Sequence, residues 1–211
     1  QRLLLQVPES HTRGDEPDVE GARLLVENAL DEGRKTLSIT ESKALLNAFR
    51  IPVAAAFRAA SPAEALVAAE SLGFPLVMKI DSPDVTHKSD VGGVRLGVDD
   101  SPSLEDAYGD LDRELGQQVT VSKMAPPGVE IALGIVRDPQ FGPLVLVGAG
   151  GVLVEVLKDR RLAMPPLDEE RARSMVDRLD VRPLLEGIRG QPPADVDALI
   201  RAIVGLSWLA A

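Results

Sequence analysis

At 211 residues, 45% hydrophobic and 27% charged, the chain has ordinary globular proportions and enough length for one large domain or two small lobes. A formal net charge of -10 argues against a general nucleic-acid binder, although a local lysine cluster can still oppose the net field. The absence of cysteine excludes disulfides, thiolate metal sites and cysteine nucleophiles, and no apolar run reaches the ~18 residues of a membrane span. Residues 1–19 read as a linker or arm, rich in Pro, Gly, Ser and charge from Pro8 onward. Gln1 to Leu5 is too short for a signal-peptide core, and the chain begins without Met, as fragments and processed forms do. His11 lies in the arm and is given no role.

Residues 20–33 predict a helix with Ala22, Leu25, Val26, Ala29 and Leu30 on one face and Gly33 as its stop. Ser38 and Glu41 form a capping box for a second helix, which Leu45, Leu46, Ala48 and Phe49 bury and which ends before Ile51-Pro52. Val53 to Phe57 suits a strand. Ser61-Pro62-Ala63-Glu64 starts a helix that Gly73 ends, and Leu76 to Ile80 is an apolar strand broken by Lys79. A strand from Val94 to Val98, a helix from Ser101 to Leu115 and a strand from Val119 to Lys123 complete a β-α-β-β-α-β lobe over residues 52–123.

Beyond it, Val129, Ile131, Leu133 and Ile135 alternate as a half-buried strand does. Leu144 to Val147 and Val152 to Val156 read as apolar strands bracketing Gly148-Ala149-Gly150-Gly151, and Leu162 to Pro165 as a further strand. Helices follow at Asp168-Glu169-Glu170, acidic at its start, and after Pro192-Pro193.

The chemistry concentrates in a few segments. Lys79 must reach water, a carboxylate or an anion, because a buried unpaired ammonium is costly. It is either an edge-strand lysine or a clamp on nucleotide phosphates. His87 sits in a polar loop with Lys88, Ser89 and Asp90, followed by Gly92-Gly93. It is either exposed in a turn or a nucleophile that takes a phosphoryl group, with Lys88 offsetting the oxygens and the glycines acting as hinge. Gly150 and Gly151 form either a tight hairpin or a place where amides approach phosphate. Lys123 and Met124 open a hinge between lobes that suits a base. Glu130 and Glu155 face either a cleft or water, and Arg137-Asp138-Pro139 is either a cleft cation or a turn.

Several of these blocks occur in one order. They are Glu41-Ser42-Lys43-Ala44-Leu45-Leu46, Lys79 through Val94, Gly128-Val129-Glu130, Arg137 through Pro143, Gly148 through Asp159, and Pro183 through Pro193. Together they resemble the ATP-grasp domain of ADP-forming (NDP-forming) acyl-CoA synthetases, acetate–CoA ligases among them, and of related proteins fused to a lysine acetyltransferase. The resemblance covers residues 20–211, and Gln1 to Pro8 resembles the junction of fused members.

It implies an α/β (α+β) two-lobe ATP-grasp fold. Residues 52–121 form the small lobe, inserted into a larger mixed-sheet lobe of residues 20–51 and 122–211. It implies ATP or ADP contacts for Lys43, Lys79, Lys123, Met124, Glu130, Arg137, Gly150, Gly151 and Glu155, and a phosphoryl relay through His87 on a mobile loop. CoA is then bound by a CoA-binding, ligase-like region in the same parent chain or a separate subunit. The Mg²⁺ ligands of the family lie beyond Ala211, so no metal ligand is assigned in this chain and the isolated fragment is expected to be inactive.

The function implied is ligation of an acid to CoA in a reversible cycle: acyl-CoA, ADP and phosphate exchange with acid, CoA and ATP. The alternative is a non-catalytic regulatory module for an attached acetyltransferase; a third is an assembly surface around Trp208. A cytoplasmic setting, no membrane or nucleic-acid partner, and a possible homo-oligomer complete the expectation.

Overall fold

Two predicted helix starts are built as side-chain caps. The computed structural model describes residues 17–81, 91–115, 118–187, 190 and 192–211. Glu64 N–H donates to Ser61 Oγ at 3.2 Å, and Glu64 Oε2 in turn accepts from Ala60 N–H at 2.8 Å. Glu41 N–H donates to Ser38 Oγ at 3.2 Å, and Ser38 N–H donates to Glu41 Oε2 at 2.8 Å. Arg34 completes the second cap with a two-pronged contact to Glu41, at 2.8 Å from Nη1 and 2.7 Å from Nη2.

The Arg34 hydrogen bonds, followed by those from Ser38, hold the Glu41 carboxyl at about 2 instead of 4.5. The folded pKa is depressed, so this contribution to stability is complete above 4.5 and disappears as pH falls through about 2. The wild type should therefore exceed Glu41→Gln in urea midpoint near neutrality, and the gap should close as pH falls towards 2. A gap constant over that range would mean that the carboxylate contributes nothing through its charge.

Contacts divide the chain into two units. One holds Glu20–Leu45 and Val53–Pro126; the other holds residues 17–19, Leu46–Pro52 and Pro127–Ala211. The arm expected over residues 1–19 lies outside the described residues up to residue 16. Residues 20–45 group with the four-stranded sheet, whereas the sequence placed them in the larger lobe. One tie is direct: Lys43 Nζ donates to Ala54 O at 2.7 Å.

That first unit holds all but the ends of α1 (Val19–Asp31) and α2 (Ile39–Ala48), and then β1 (Ala56–Ala59), α3 (Pro62–Leu72), β2 (Leu76–Ile80), β3 (Val94–Val98), α4 (Ser101–Leu115) and β4 (Val119–Lys123). The strand order is β1-β4-β2-β3, with every neighbouring pair antiparallel. This is the expected β-α-β-β-α-β succession, although β1 starts at Ala56 and not at Val53. The core packs α3 and α4 on one sheet face, with Leu76, Met78, Ile80, Leu104, Leu111, Val119 and Val121 fully buried. α1 buries Ala22 and Ala29 but leaves Val26 and Leu30 exposed, so its inward side is narrower than the periodicity suggested.

The second unit contains β5 (Ile131–Asp138), β6 (Gly142–Ala149), α5 (Leu153–Val156), β7 (Arg160–Ala163), α6 (Glu169–Asp177), a 3-10 turn (Arg182–Glu186) and α7 (Val196–Ala210). Its antiparallel sheet runs β5-β6-β7, and α6 and α7 cover one face over Val145 and Val147. The strand expected at Val152–Val156 is instead the helical turn α5. Gly151, at φ +56°, turns the chain out of β6, and Leu157 N–H closes the turn on Leu153 O at 2.8 Å. Val152 and Val156 are exposed, so the apolar run is not a buried strand. β7 begins two residues before the expected Leu162. Along the strand expected from Val129, Ile131 and Leu133 reach the core, while Val129 precedes β5 and Ile135 is exposed.

Candidate nucleotide site

Lys79 lies on β2, an interior strand between β4 and β3, so it is not an edge-strand lysine. Its neighbours Met78 and Ile80 are fully buried on the helix-covered face, and Lys79 projects from the opposite face, level with Thr120 of β4 and Val94 of β3. Lys43 approaches it from α2. Burial, then the Lys79 ammonium, push the Lys43 ammonium below the ordinary lysine range. An anion taken up beside these lysines would offset that repulsion.

The ends of the histidine segment are tied to the same sheet. Asp81 N–H donates to Gln118 O at 2.7 Å, and the Asp81 carboxylate pairs with Arg58 Nε at 2.9 Å. Ile80 N–H donates to Gly93 O at 3.0 Å, Gly92 adopts φ +69°, and Arg95 Nη1 donates to Gly92 O. His87, Lys88, Ser89 and Asp90 lie outside the described residues.

Lys123 has an internal task. Its ammonium donates to Gly73 O at 2.8 Å and Phe74 O at 2.5 Å, holding the turn after α3, and Met124 N–H donates to Pro75 O at 3.0 Å. The hinge expectation had no means of finding these partners, which are carbonyls about fifty residues upstream.

In the second unit, Glu130, Gly150 and Gly151 meet. Gly150 N–H donates to Glu130 O at 2.8 Å. A Cβ on Gly150 would stand 2.7 Å from the Glu130 carbonyl carbon, and one on Gly151 would stand 2.0 Å from Glu130 Oε2. These glycines therefore admit the Glu130 backbone and carboxylate where any side chain would collide. They form the polar end of a cleft of about 590 Å³, with Val129, Val152, Leu153 and Leu184 as its apolar walls. That volume and mixed lining suit a nucleotide-sized ligand. Leu184 was not anticipated from the sequence.

The remaining candidates lie apart from this cluster. Arg137 pairs with Pro143 near the hairpin end of β5–β6, whereas Ile131 pairs with Ala149 at the cleft end. Six residues of strand separate the two, roughly 20 Å at the usual rise. Asp138 Oδ1 accepts from Gln140 N–H at 2.8 Å and Phe141 N–H at 3.0 Å, so the Arg-Asp-Pro block is a side-chain-capped hairpin turn. Glu155 falls in α5. Among the described residues no group of three or more His, Cys, Asp or Glu side chains is placed to hold a metal.

Residues 28–211 match the family described as an ATP-grasp domain. The chain belongs to the ATP-grasp family. This ATP-grasp chain is 39% identical over 198 residues to acetate–CoA ligase [ADP-forming] I of Archaeoglobus fulgidus, covering 90% of the chain and 29% of the relative. It is 36% identical to the beta subunit of acetate–CoA ligase [ADP-forming] I of Pyrococcus furiosus, covering 90% of the chain and 84% of that subunit. The chain therefore spans less than a third of the A. fulgidus ligase but most of the P. furiosus subunit. Among solved structures it is similar to the dinucleotide-forming acetyl-coenzyme A synthetase 1 of Ca. Korarchaeum cryptofilum in complex with coenzyme A and Mg-AMPPCP, whose phosphohistidine segment points towards the nucleotide-binding site. That likeness has a TM-score of 0.80 and 38% identity, covering 90% of this chain and 85% of that one.

Proposed function

We propose that this ATP-grasp chain is the nucleotide-binding, phosphoryl-relaying part of an ADP-forming acyl-CoA synthetase. The observation that carries the reading is Lys79 on the interior strand β2, projecting from the face opposite α3 and α4 directly before Ile80 and Asp81, which tie down the ends of the His87 segment, with Lys43 of α2 feeling its charge. These lysines suit the phosphates of ATP. Within the second unit, the Glu130–Gly150–Gly151 cleft has the apolar walls, polar end and volume that suit a nucleotide-sized ligand. Met124 and Glu155 are assigned supporting contacts to the nucleotide, Lys123 acts first on its own turn, and Arg137, at the far end of β5 from the cleft, is assigned none.

In this reading a ring nitrogen of His87 attacks the terminal phosphorus of ATP and ADP leaves. The phosphoryl group then passes to a CoA-binding, ligase-like region in the same parent chain or a separate subunit, where acid and CoA become acyl-CoA and phosphate is released. The named relatives, a beta subunit and a longer ligase, support that division of labour. Mg²⁺ accompanying the nucleotide would balance phosphate charge, and the described residues supply no cluster of ligands for it. No helix among the described residues is long and apolar enough to cross a membrane, and we assign the enzyme to the cytoplasm. The alternative of a regulatory module on a lysine acetyltransferase draws no support from these ligase relatives.

The test is to incubate the full-length protein with γ-labelled ATP and seek acid-labile, base-stable label. His87→Ala should abolish it, and Lys79→Met should reduce it by ~10-fold or more through loss of a phosphate contact. Full label retained in His87→Ala would end the relay role.

A further inference from the structure

Asp159 is a buried carboxylate outside the nucleotide contacts proposed above, and its side chain is 1% exposed. A charge so placed requires partners, and it has them. Its Oδ2 accepts from Val181 N–H at 2.9 Å, and its Oδ1 accepts from Arg161 Nη1 at 3.2 Å. Arg161 is itself held by Arg178 O.

These bonds join two parts of the cleft. Asp159 O accepts from Ala149 N–H at 3.0 Å, immediately before Gly150, and presses so close to Gly148 that a Cβ there would stand 2.7 Å from it. Val181 caps the 3-10 turn Arg182–Glu186, which carries Leu184 into the cleft wall. One residue thus grips the strand that delivers the glycine turn with its backbone, and the turn that delivers Leu184 with its side chain.

We infer that Asp159 is a positioning residue for this cleft, fixing the spacing between the Gly150–Gly151 turn and the Leu184 wall; the inference rests on the reading that the cleft takes nucleotide. Losing the carboxylate leaves a buried Val181 N–H without its acceptor, and the wall relaxes to satisfy it. Arg161 stabilises the cluster but touches neither wall.

The experiment is calorimetric titration of the intact chain with the ATP analogue AMPPCP, with melting temperatures measured alongside. Asp159→Ala should bind about tenfold more weakly. Asp159→Asn, whose amide oxygen still accepts from Val181, should recover to within about threefold of wild type. Arg161→Met should also stay within about threefold even though its melting temperature falls, since the Val181 bond survives. If Asp159→Ala does not fold, Val181→Pro removes the same donor from the other side, at a φ of −80° that suits proline, and should show the same loss.

Wild-type affinity in Asp159→Ala or Val181→Pro would overturn the inference. So would an Arg161→Met loss as large as that of Asp159→Ala, or no recovery in Asp159→Asn, because the cluster would then act only through general stability. A wild type that does not bind AMPPCP would remove the nucleotide reading and this role together. A wild type that binds while Asp159→Ala binds equally well removes this role alone.

Discussion

Gly150→Ala is expected to abolish measurable nucleotide binding and to lower stability. Its Cβ would stand 2.7, 2.8 and 2.9 Å from the Glu130 carbonyl carbon, the Glu130 oxygen and the Ile131 nitrogen. All three are backbone atoms at the entry to β5, so no rotamer change relieves the overlap. The Glu130–Ile131 peptide must move, and the 2.8 Å bond from Gly150 N–H to Glu130 O goes with it. Overpacking of this kind costs about 1–3 kcal/mol. The larger loss is in function, because the displaced atoms form the polar end of the cleft.

Gly151→Ala makes an informative contrast. Its closest overlap is with the tip of the Glu130 side chain, which can swing away, but its φ of +56° adds about 1–2 kcal/mol of backbone strain for any residue with a Cβ. AMPPCP titration and urea unfolding of the two variants check the ranking. Binding by Gly150→Ala within threefold of wild type would mean that the cleft does not hold the nucleotide.

Gly205→Ala is expected to destabilise the second unit, against the usual trend for helices. Alanine inside a helix is normally better than glycine by about 1 kcal/mol. Here a Cβ would lie 2.4 Å from Phe49 O and 3.1 Å from Ile51 Cγ1, so α7 could not lie flush against the Leu46–Pro52 segment. Separating them opens gaps around Phe49 and around Val204 and Leu206 of α7, all buried. The packing loss, about 1–3 kcal/mol or more, exceeds the propensity gain. A Gly205→Ala urea midpoint at or above that of the wild type would show that the close approach contributes nothing.

Local chemistry was well marked in the sequence. Ser38–Glu41 and Ser61–Glu64 announced their helices because a cap needs only residues three apart. The continuous apolar run at Leu76 to Ile80 announced β2 and made Lys79 conspicuous. The features that escaped depend on distant partners. Val152 to Val156 has the β-branched content of a strand, yet Gly151 turns the chain before it can pair, and the run closes on itself as a helical turn.

The candidate site divides in the same way. Lys79 and the glycine pair stood out by residue type, whereas the partners of Lys123, the Gly73 and Phe74 carbonyls, lie too far upstream for local pattern to reveal. Leu184 and Asp159 lay within the blocks that carried the resemblance but were given no role. A leucine in an apolar-rich stretch and an acid after a loop are commonplace until Val181 N–H is seen to connect them.

The partition of the chain has a bearing on its synthesis. The sheet β1-β4-β2-β3 draws all its strands from one uninterrupted stretch, Ala56 to Lys123, so it can close while the ribosome is still translating the second unit. Phe49 and Ile51, made earlier, must wait for Gly205 and α7, which follow the whole of that sheet in the chain. The earlier-made segment is thus completed after the sheet, and a nascent chain halted before α7 would present Phe49 uncovered to chaperones while the four-stranded sheet beside it in sequence is already finished.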